Sequence, residues 1–517
     1  MKKIFSRESL LTWWKLAFIF IWPFLSFYSH NIRQPLSITT LSSIFAIGVV
    51  ILLTITLPVA VFKNSETLRK WTDILAVSIF FIFSYALSKK IGALLSIPNS
   101  SIAILWFFMF ICILLVTLKL IKNQFFSEFL FVIGLALIAL PLIQTFHHHS
   151  TKEDDLATQN KISTQPVHFK PNIYYFVLDG YARQDILKSQ FNYSNDDFIK
   201  SLKERKFFVA EKSLTNFPIT HLSISTSLQM DFITNSAQKK SISPADVSHI
   251  FQGDNHLVKY LKNAGYTYLR YGNKMWGMGE CGPDADICIN DEIKSKKIEF
   301  HLNNTATNFL MLTPAYGIIF RIFDFFSSDE QLTGLGKIMY FLKNFQSNKN
   351  QNTFLFAHVL APHPPPQYDE DCKYTLEKIN MVKWNKSEFL SQIPCVNADI
   401  IKIIDLILTK DKSNPIIVLQ SDHGPSIRNQ FLKPFTQWNK DDFLERYAIL
   451  VAALIPEHCK TYAYNTISPV NIFRLVLGCM QNTQPTFLDD DLFYATYEGQ
   501  DEYGKIFEID KRAYETK

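Results

Sequence analysis

The chain has 517 residues, of which 48% are hydrophobic and 14% aromatic, and its 52 basic and 47 acidic side chains give a formal net charge of +5. Residues 1–148 hold 12 Lys/Arg and 4 Asp/Glu, a balance of +8, whereas residues 149–517 hold 40 and 43, a balance of −3. This division argues against a nucleic-acid partner, because such binding needs clustered Lys/Arg on a folded soluble surface. Collagen-like and disordered classes are excluded too, since glycine and proline are ordinary in number and aromatic residues are plentiful.

Five apolar segments make up most of residues 1–146, which we predict to be a transmembrane anchor. Each is close to the ~20 residues that a helix needs to cross ~30 Å of hydrocarbon. A signal peptide is the alternative for the first segment, but no small-residue cleavage site follows it and four further segments do. The segments are Leu11 to Tyr28, Ile38 to Phe62, Trp71 to Leu87, Ile102 to Leu118 and Phe125 to Phe146.

The loops between these segments predict the orientation of the chain. Basic residues are concentrated before the first segment and in alternate loops, which places the N-terminus in the cytoplasm. After five crossings the C-terminal domain lies outside, so we expect a multi-pass inner (cell) membrane protein with its large domain in the periplasm. The cytoplasmic group is Lys2, Lys3, Arg7, Lys63, Arg69, Lys70, Lys119 and Lys122, and the opposite group is Arg33, Lys89 and Lys90.

Cysteine usage agrees with this orientation. Cys112 lies within a predicted span, and the other six cysteines lie in the C-terminal domain, an even number that suits disulfide bonds in an oxidising compartment. Many connectivities are open, but proximity in sequence favours Cys281 with Cys288, Cys372 with Cys395, and Cys459 with Cys479. A zinc knuckle is disfavoured because no C-x2-C pair is present.

Residues 147–170 are polar and aperiodic, which predicts a juxtamembrane linker, and beyond them strand and helix patterns alternate. Segments such as His256 to Ala264 and Asp399 to Leu408 predict helices between buried strands. The alternation predicts an α/β sandwich around a largely parallel sheet for residues 171–517. The predicted strands are Ile173 to Leu178, Phe207 to Ala210, Tyr266 to Tyr271, Thr353 to Leu360, Ile416 to Leu419 and Tyr447 to Ile455.

Three predicted strands are followed by side chains that bind metals or substrates. They run into D-G-Y at Asp179, A-P-H-P around His363, and S-D-H-G-P around Asp422 and His423. Ligands of such sheets bind beyond the carboxyl ends of the strands. Two carboxylates and one imidazole suit Zn²⁺ or Mn²⁺ better than Ca²⁺. An Asp-Gly pair alone is usually a turn, but Asp-His-Gly after a short apolar strand is a more specific signal.

The segment Leu214 to Phe232 supplies a hydroxyl. From His221 onward its apolar spacing predicts a helix, with Thr220 at about the N-cap. A hydroxyl there lies beside unpaired N–H groups and the positive end of the helix dipole, which favour a phosphate or sulfate. Coordination to a metal would activate it as a nucleophile. The alternative is an ordinary N-cap threonine.

Together these motifs resemble the sulfatase-like branch of the alkaline phosphatase superfamily. The resemblance covers roughly residues 170–490 and rests on Asp179, Thr220 within T-N-F-P-I-T-H-L-S, the P-H-P loop and S-D-H-G, in the family's order. A five-span anchor with an external domain resembles that of its membrane members, the phosphoethanolamine transferases and lipoteichoic acid synthases. The resemblance implies a catalytic divalent metal held by Asp179, Asp422, His423 and Thr220.

The resemblance also implies roles in catalysis. Thr220 would be the nucleophile and form a phospho-threonine that passes to an acceptor alcohol or to water. His363 and His358 would hold the transferred group or protonate the leaving oxygen. Asn216 and Arg183 lie near the ligands in sequence and are candidate substrate contacts.

Two departures from the family pattern narrow the function. Sulfatases mature a Cys or Ser within C-x-P-x-R, and none of the seven cysteines has this context, which favours phosphoryl chemistry over sulfate-ester hydrolysis. Phosphoethanolamine transferases usually follow S-D-H-G with an acidic residue and a later His, whereas Pro425 and Ser426 follow here. The resemblance therefore leaves the number of metals and the transferred group open.

These expectations favour a membrane-bound, metal-dependent transferase that moves a phosphoethanolamine- or glycerophosphate-type substituent from a lipid donor onto an envelope glycolipid or polysaccharide. The alternative is a hydrolase of the same fold, a phosphodiesterase or sulfuric ester hydrolase acting on surface glycans. A transporter or sensor is a third hypothesis, and it predicts charged residues buried in the spans. The first four predicted spans have none near their centres.

Overall fold

The chain forms two compact units. One combines residues 1–154 with residues 300–327, and the other combines residues 155–299 with residues 328–517. Residues 300–327, which the predicted boundaries assign to the C-terminal domain, thus group with the N-terminal region. The computed structural model describes residues 7–32, 36, 38–62, 64–94, 99–150, 167–233, 242–272, 277–289, 304–314, 316, 332–345, 351–375, 384–496 and 504–510.

The described part of the first unit is helical. Four of its segments have the length and apolar composition of membrane spans: Ile38–Val61, Ser65–Lys89, Ser101–Leu120 and Gln124–Phe146. The first predicted span also forms a helix, α1, but it is not among these four, so four described spans meet the criterion where five were predicted. The helices are α1 (Arg7–His30), α2 (Ile38–Phe62), α3 (Ser65–Phe83), α4 (Tyr85–Leu94), α5 (Asn99–Leu120), α6 (Gln124–Ser150) and, later in the chain, α12 (Asn304–Leu310).

A buried ion pair connects α1 with α3. Lys15 contacts the carboxylate of Asp73, both residues are buried, and Lys15 Nζ also donates to Ser127 Oγ of α6 at 2.8 Å. Lys15 and Ser127 lie in the N-terminal halves of α1 and α6, and Asp73 lies at the middle of α3. These helices correspond to the first, third and fifth predicted spans.

This ion pair gives a testable prediction for stability. We expect Asp73→Asn alone to destabilise the protein by about 3–5 kcal/mol, because it leaves the Lys15 ammonium buried without a counter-charge. The double variant Lys15→Met, Asp73→Leu should recover most of the loss, since it removes both charges. Thermal unfolding in detergent measures both. Equal destabilisation by the single and double variants would show that packing, not charge, sets the stability here.

The second unit contains a seven-stranded sheet in the order β2-β7-β6-β1-β5-β3-β4. Its central strands β6, β1, β5, β3 and β4 run parallel in the pairs β6 with β1, β1 with β5, β5 with β3, and β3 with β4. Strand β7 is antiparallel to both β6 and β2. The strands are β1 (Ile173–Leu178), β2 (Phe208–Val209), β3 (Thr267–Tyr271), β4 (Ile287–Ile289), β5 (Thr353–Val359), β6 (Ile416–Ser421) and β7 (Val451–Leu454), and β8 (Leu492–Ala495) pairs separately with β9 (Ile506–Ile509).

Helices cover both faces of this sheet. All six residues of β1 are buried, with Tyr175 and Val177 facing one helical layer and Phe176 and Leu178 facing the other. Burial on both faces explains why the strands are continuous apolar runs instead of alternating patterns. The first layer contains α9 (Thr220–Gln229), α10 (Pro244–Gln252), α11 (His256–Asn263) and α16 (Pro469–Gln481); the second contains α7 (Gln184–Phe191), α8 (Asp196–Glu204), α13 (Gly334–Asn344) and α14 (Lys386–Lys410). The predicted α/β sandwich is confirmed.

The predicted strands agree closely with the structure, whereas the helix predicted from Asp399 to Leu408 is longer and runs from Lys386 to Lys410. Every predicted strand except the last matches to within two residues at each end. The last begins at Val451, because Tyr447 ends helix α15 (Lys440–Tyr447), where its ring stacks on Phe443 with centroids 4.5 Å apart. The three predicted disulfide bonds, Cys281–Cys288, Cys372–Cys395 and Cys459–Cys479, are all present.

Candidate active site

The parallel pairing of β1 with β6 brings two aspartates together. Leu178 at the end of β1 lies opposite Ser421 at the end of β6. Continuing this register places Asp179 beside Asp422, and both side chains face the same layer as Val177 because side chains alternate along a strand. The Gly180 N–H donates to Asp422 Oδ1 at 3.1 Å, which links the segments that follow the two strands.

Each of these carboxylates has one buried oxygen that accepts no hydrogen bond from the described residues. These oxygens are Asp179 Oδ1 and Asp422 Oδ2. Burial and the nearby negative charge of Asp179 raise the pKa of Asp422 well above its usual value. Burial would also raise the pKa of Asp179, but the imidazoles of His363, His358 and His423 outweigh it and lower that pKa. Two facing buried carboxylates of this kind require a shared cation or proton.

His423 is oriented to present Nε2 to this pair. Its Nδ1 lies 2.9 Å from the Gly424 carbonyl oxygen, and Nε2 lies 3.3 Å from Asp422 Oδ2 and 3.7 Å from Asp179 Oδ1. A carbonyl acceptor fixes the proton on Nδ1 and leaves the Nε2 lone pair available, as in metal-ligating histidines. Burial and the Arg446 charge hold the pKa of His423 well below its usual range, which favours the neutral, ligating form.

Thr220 completes the group. Its Oγ1 lies 2.9 Å from His423 Nε2, although the two residues are far apart in sequence. Helix α9 begins at Thr220 and its N-cap is Ile219, so Thr220 is the first helical residue and not the predicted N-cap. At this position the Thr220 hydroxyl does not serve as the N-cap acceptor of the helix. His221, predicted to be structural, is 4% exposed, and burial lowers its pKa to about 3.

The donor set fits a divalent metal. Asp179, His358 and Asp422 each offer a ligand atom, and these atoms lie within 4.8 Å of one another. His423 Nε2 and Thr220 Oγ1 adjoin the same two carboxylates. Carboxylate oxygens with imidazole nitrogens match the preferences of Zn²⁺ and Mn²⁺, and the two enclosed carboxylate oxygens without donors are positioned for such an ion.

Arg446 forms hydrogen bonds with the segment before Thr220 and with the segment after His423, and it was not identified from the sequence. Its Nε donates to the Pro218 carbonyl at 2.7 Å, just before Thr220, and its Nη1 donates to the Gly424 carbonyl at 2.8 Å, just after His423. The Gly424 N–H in turn donates to the Arg446 carbonyl at 2.8 Å. No local signal marks Arg446, which lies in the last turn of an ordinary amphipathic helix, α15.

The remaining predicted site residues fall into two groups. His358 is 1% exposed with its Nε2 3.2 Å from Asp179 Oδ2, and His363 is partly exposed with its ring 6.3 Å from that of His423. Asn216 instead forms hydrogen bonds with Ser468 and Val470 at the start of α16 and with the Asp491 carbonyl just before β8, and Arg183 forms hydrogen bonds with Asp185 and the Ser213 carbonyl. The structure thus brings the two histidines to the site and engages Asn216 and Arg183 in contacts outside it.

Glu445, beside Gly424, gives a pH-dependent prediction. It is 0% exposed, Oε1 accepts from the Arg428 N–H at 3.1 Å, and burial raises its pKa from 4.5 to about 7. The folded state therefore binds more protons than the unfolded state between these values, so stability falls as pH rises from 4.5 to about 7. We expect Glu445→Gln to flatten this dependence and to exceed wild-type stability at pH 8 by up to about 3 kcal/mol.

Unfolding at pH 5 and pH 8 tests the effect of Glu445. The matched control is Glu388→Gln, because Glu388 is exposed in the first turn of α14 and should leave the wild-type pH slope intact. An unchanged slope in Glu445→Gln would rule out Glu445 as its source.

Comparison with known proteins places these features in context. The family model for sulfatases matches residues 171–482. A search of the curated proteins gives no match. Among solved structures, the chain is similar to the C-terminal periplasmic domain of EcEptC from Escherichia coli, with 12% identity and a TM-score of 0.41 over 67% of this chain and 96% of that one.

Two further structures illustrate the range of similar folds. The integral membrane protein lipooligosaccharide phosphoethanolamine transferase A from Neisseria meningitidis is 14% identical, with a TM-score of 0.39 over 91% of this chain and 96% of that one. A structure described with glycosaminoglycan metabolism by Bacteroides thetaiotaomicron is 15% identical, with a TM-score of 0.38 over 66% and 83%. Because these TM-scores are low, we do not infer the substrate of this chain from those proteins.

Proposed function

Because the chain belongs to the sulfatase family over residues 171–482, and is therefore an enzyme acting on phosphate or sulfate esters, we propose a membrane-bound transferase that uses Thr220 as its nucleophile. The observation that carries this proposal is the 2.9 Å contact between Thr220 Oγ1 and His423 Nε2 beside two buried carboxylates. No C-x-P-x-R sequence is present to form the nucleophile of sulfatases. The hydroxyl of Thr220 takes its place.

In this proposal Asp179, Asp422, His423 and Thr220 hold the divalent metal, and His358 supports Asp179. When bound, the metal lowers the pKa of a ligated hydroxyl and stabilises negative charge on phosphoryl oxygens. The enclosed carboxylates fix the ligand positions, and Arg446 holds the segments before Thr220 and after His423 at a constant separation. The first-turn N–H groups of α9 face the same region and favour an anionic substrate.

The transfer takes two steps. In the first, the Thr220 hydroxyl releases its proton to solvent, a bond forms between Thr220 Oγ and phosphorus, the bond from phosphorus to the leaving lipid alcohol breaks, and protonated His363 gives its proton to the leaving oxygen. In the second, an acceptor hydroxyl gives its proton to the now neutral His363 and forms the new bond to phosphorus, while the bond from phosphorus to Thr220 Oγ breaks and Thr220 takes up a proton from solvent. His363 suits this role because it is partly exposed and so reaches both the site and the incoming acceptor.

The anchor favours a lipid donor and an acceptor in the cell envelope. Four described helices are long and apolar enough to span a membrane, and a membrane-held enzyme meets a lipid substrate at high effective concentration. The basic bias of alternate loops favours a catalytic domain on the periplasmic side of the inner membrane. Phosphoethanolamine or glycerophosphate is the transferred group in this proposal, and an envelope glycolipid or polysaccharide is the acceptor.

A labelled-donor assay tests this function. The full-length enzyme is reconstituted in vesicles with Zn²⁺ or Mn²⁺, a glycolipid acceptor, and either phosphatidylethanolamine or phosphatidylglycerol labelled in the headgroup. We expect label to reach the acceptor, and the productive donor identifies the transferred group. Release of label to water alone would reject transfer and support a hydrolase of the same fold.

A further inference from the structure

Arg270 is a buried guanidinium that the proposed reaction does not use. It lies in β3 and is 0% exposed, and none of its three guanidinium nitrogens has a hydrogen-bond partner among the described residues. Its Cζ lies 4.3 Å from the ring centroid of Phe356 and 5.2 Å from that of Phe251. The aromatic rings stabilise part of the positive charge through cation–π contacts. They do not provide hydrogen-bond acceptors for the N–H groups, which point outward in the plane of the guanidinium.

The sheet places Arg270 next to the catalytic cluster. Arg270 pairs in register with Phe356 on β5, and His358 follows two residues later on the same face. The Phe251 ring contacts both, with its centroid 5.5 Å from that of His358. Burial lowers the pKa of His358, and the Arg270 charge lowers it further, which places the guanidinium within electrostatic reach of the histidine that contacts Asp179.

The polar surroundings of Arg270 favour an anion. Tyr268 lies two residues earlier on the same face of β3, and its buried hydroxyl also has no hydrogen-bond partner among the described residues. Burial raises the pKa of Tyr268 to about 12, so its hydroxyl stays protonated and can donate. No described carboxylate forms an ion pair with Arg270. Donors without acceptors exclude a metal ion and select a negatively charged ligand.

We propose that Arg270, with Tyr268, forms a buried anion-binding subsite beside the catalytic cluster, and that it takes a phosphate or sulfate oxyanion. A charged guanidinium without a counter-ion is costly to bury, so an oxyanion that accepts its N–H groups would turn a destabilising residue into a stabilising one. The oxyanion is either a free ion or a group carried by the substrate beyond the one transferred. This subsite does not depend on the identity of the nucleophile.

Anion-dependent unfolding of the full-length protein tests the subsite. The protein is treated with a chelator, so that the metal centre contributes no anion site, and is melted in detergent with rising inorganic phosphate, with sulfate, or with phosphatidylethanolamine. We expect the melting temperature of the wild type to rise. Arg270→Met keeps the stacking length without the charge and should weaken the anion's apparent affinity about tenfold or more.

The matched control is Arg474→Met. Arg474 is a partly buried arginine whose Nε and Nη1 donate to the Met230 and Thr486 carbonyls at 2.8 and 3.0 Å and whose Nη2 alone has no partner among the described residues, so its loss should change the anion response far less than the loss of Arg270. A response to inorganic phosphate identifies a free ion, and a response to phosphatidylethanolamine alone identifies a substrate group. Should Arg270→Met fail to fold, Arg270→Lys replaces it and should retain the response with reduced affinity.

Two outcomes overturn the proposal. One is a wild-type melting temperature that does not change with any of the added anions. The other is an anion-dependent rise in melting temperature that is as large in Arg270→Met as in the wild type. Neither outcome bears on the nucleophile, because unfolding is measured without turnover. Conversely, a Thr220 variant with full transfer activity would refute the proposed function and leave the anion response of Arg270 intact.

Discussion

Replacing Thr220 with alanine is expected to lower the initial rate of headgroup transfer by about 10⁴-fold or more. In the proposed function the change removes the atom that bonds to phosphorus, so the residual rate would come from substrate binding and charge stabilisation alone. The fold should survive, because Thr220 is only partly buried and its hydroxyl contacts His423 instead of the core. The measurement is the rate of label transfer by purified enzyme at equal protein level.

Two companion variants separate nucleophile loss from helix damage. Ser225→Ala removes another hydroxyl of α9 that is buried without a hydrogen-bond partner among the described residues, and it should leave the rate near wild type. Thr220→Ser keeps a hydroxyl and should retain measurable activity. Intact-mass spectrometry after incubation with donor should show an adduct on Thr220 in the wild type only. Wild-type transfer by Thr220→Ala would assign the nucleophile elsewhere.

Gly424→Ala is expected to reduce activity by about 100-fold or more through displacement of His423. A β-carbon at Gly424 would lie 1.9 Å from the Glu445 carbonyl oxygen and 3.4 Å from that of Arg446, so the main chain at the end of α15 must move. The Gly424 carbonyl accepts from His423 Nδ1 at 2.9 Å and from Arg446 Nη1 at 2.8 Å. Moving it disturbs both the orientation of the imidazole and the arginine contact that holds it.

Metal affinity and activity are measured together for this variant. We expect metal affinity to fall by about 10- to 100-fold with the fold retained, because Gly424 orients a ligand without being one. Gly336→Ala in α13 is the control: its β-carbon would meet the Thr333 side chain at 3.2 Å, far from the site in sequence and with no main-chain collision. Wild-type metal affinity in Gly424→Ala would mean that the loop relaxes without turning His423.

The strands were predictable because their two faces are both buried. β1 is a continuous apolar run between Asn172 and Asp179, and β1 and β5 each end within one residue of the predicted boundary. The disulfide bonds were predictable from proximity in sequence alone. Thr220 was placed one residue too early in the helix, because a Thr before a helical pattern is usually the N-cap and here Ile219 takes that position.

Contacts between distant segments explain what the sequence did not predict. Arg446 holds Pro218 and Gly424, Lys15 faces Asp73, and Phe309 of α12 lies with its ring 4.5 Å from that of Phe24 in α1. Each partner is remote along the chain, and periodicity within a segment carries no information about such pairs. The same limit applies to Asn216 and Arg183, whose nearness in sequence to the ligands did not bring them to the site.

By itself the sequence determined an apolar anchor followed by an α/β sandwich, and it predicted Asp179, Asp422, His423 and Thr220 as candidate site residues. Local patterns suffice for this, because hydrophobic runs fix the strands and functional residues follow strand ends. Only the tertiary structure decided that these four side chains adjoin one another, that Arg446 clamps them, and that Arg270 lies buried without a counter-ion. Those facts arise from parallel strand register and helix packing, which join residues that the chain keeps far apart.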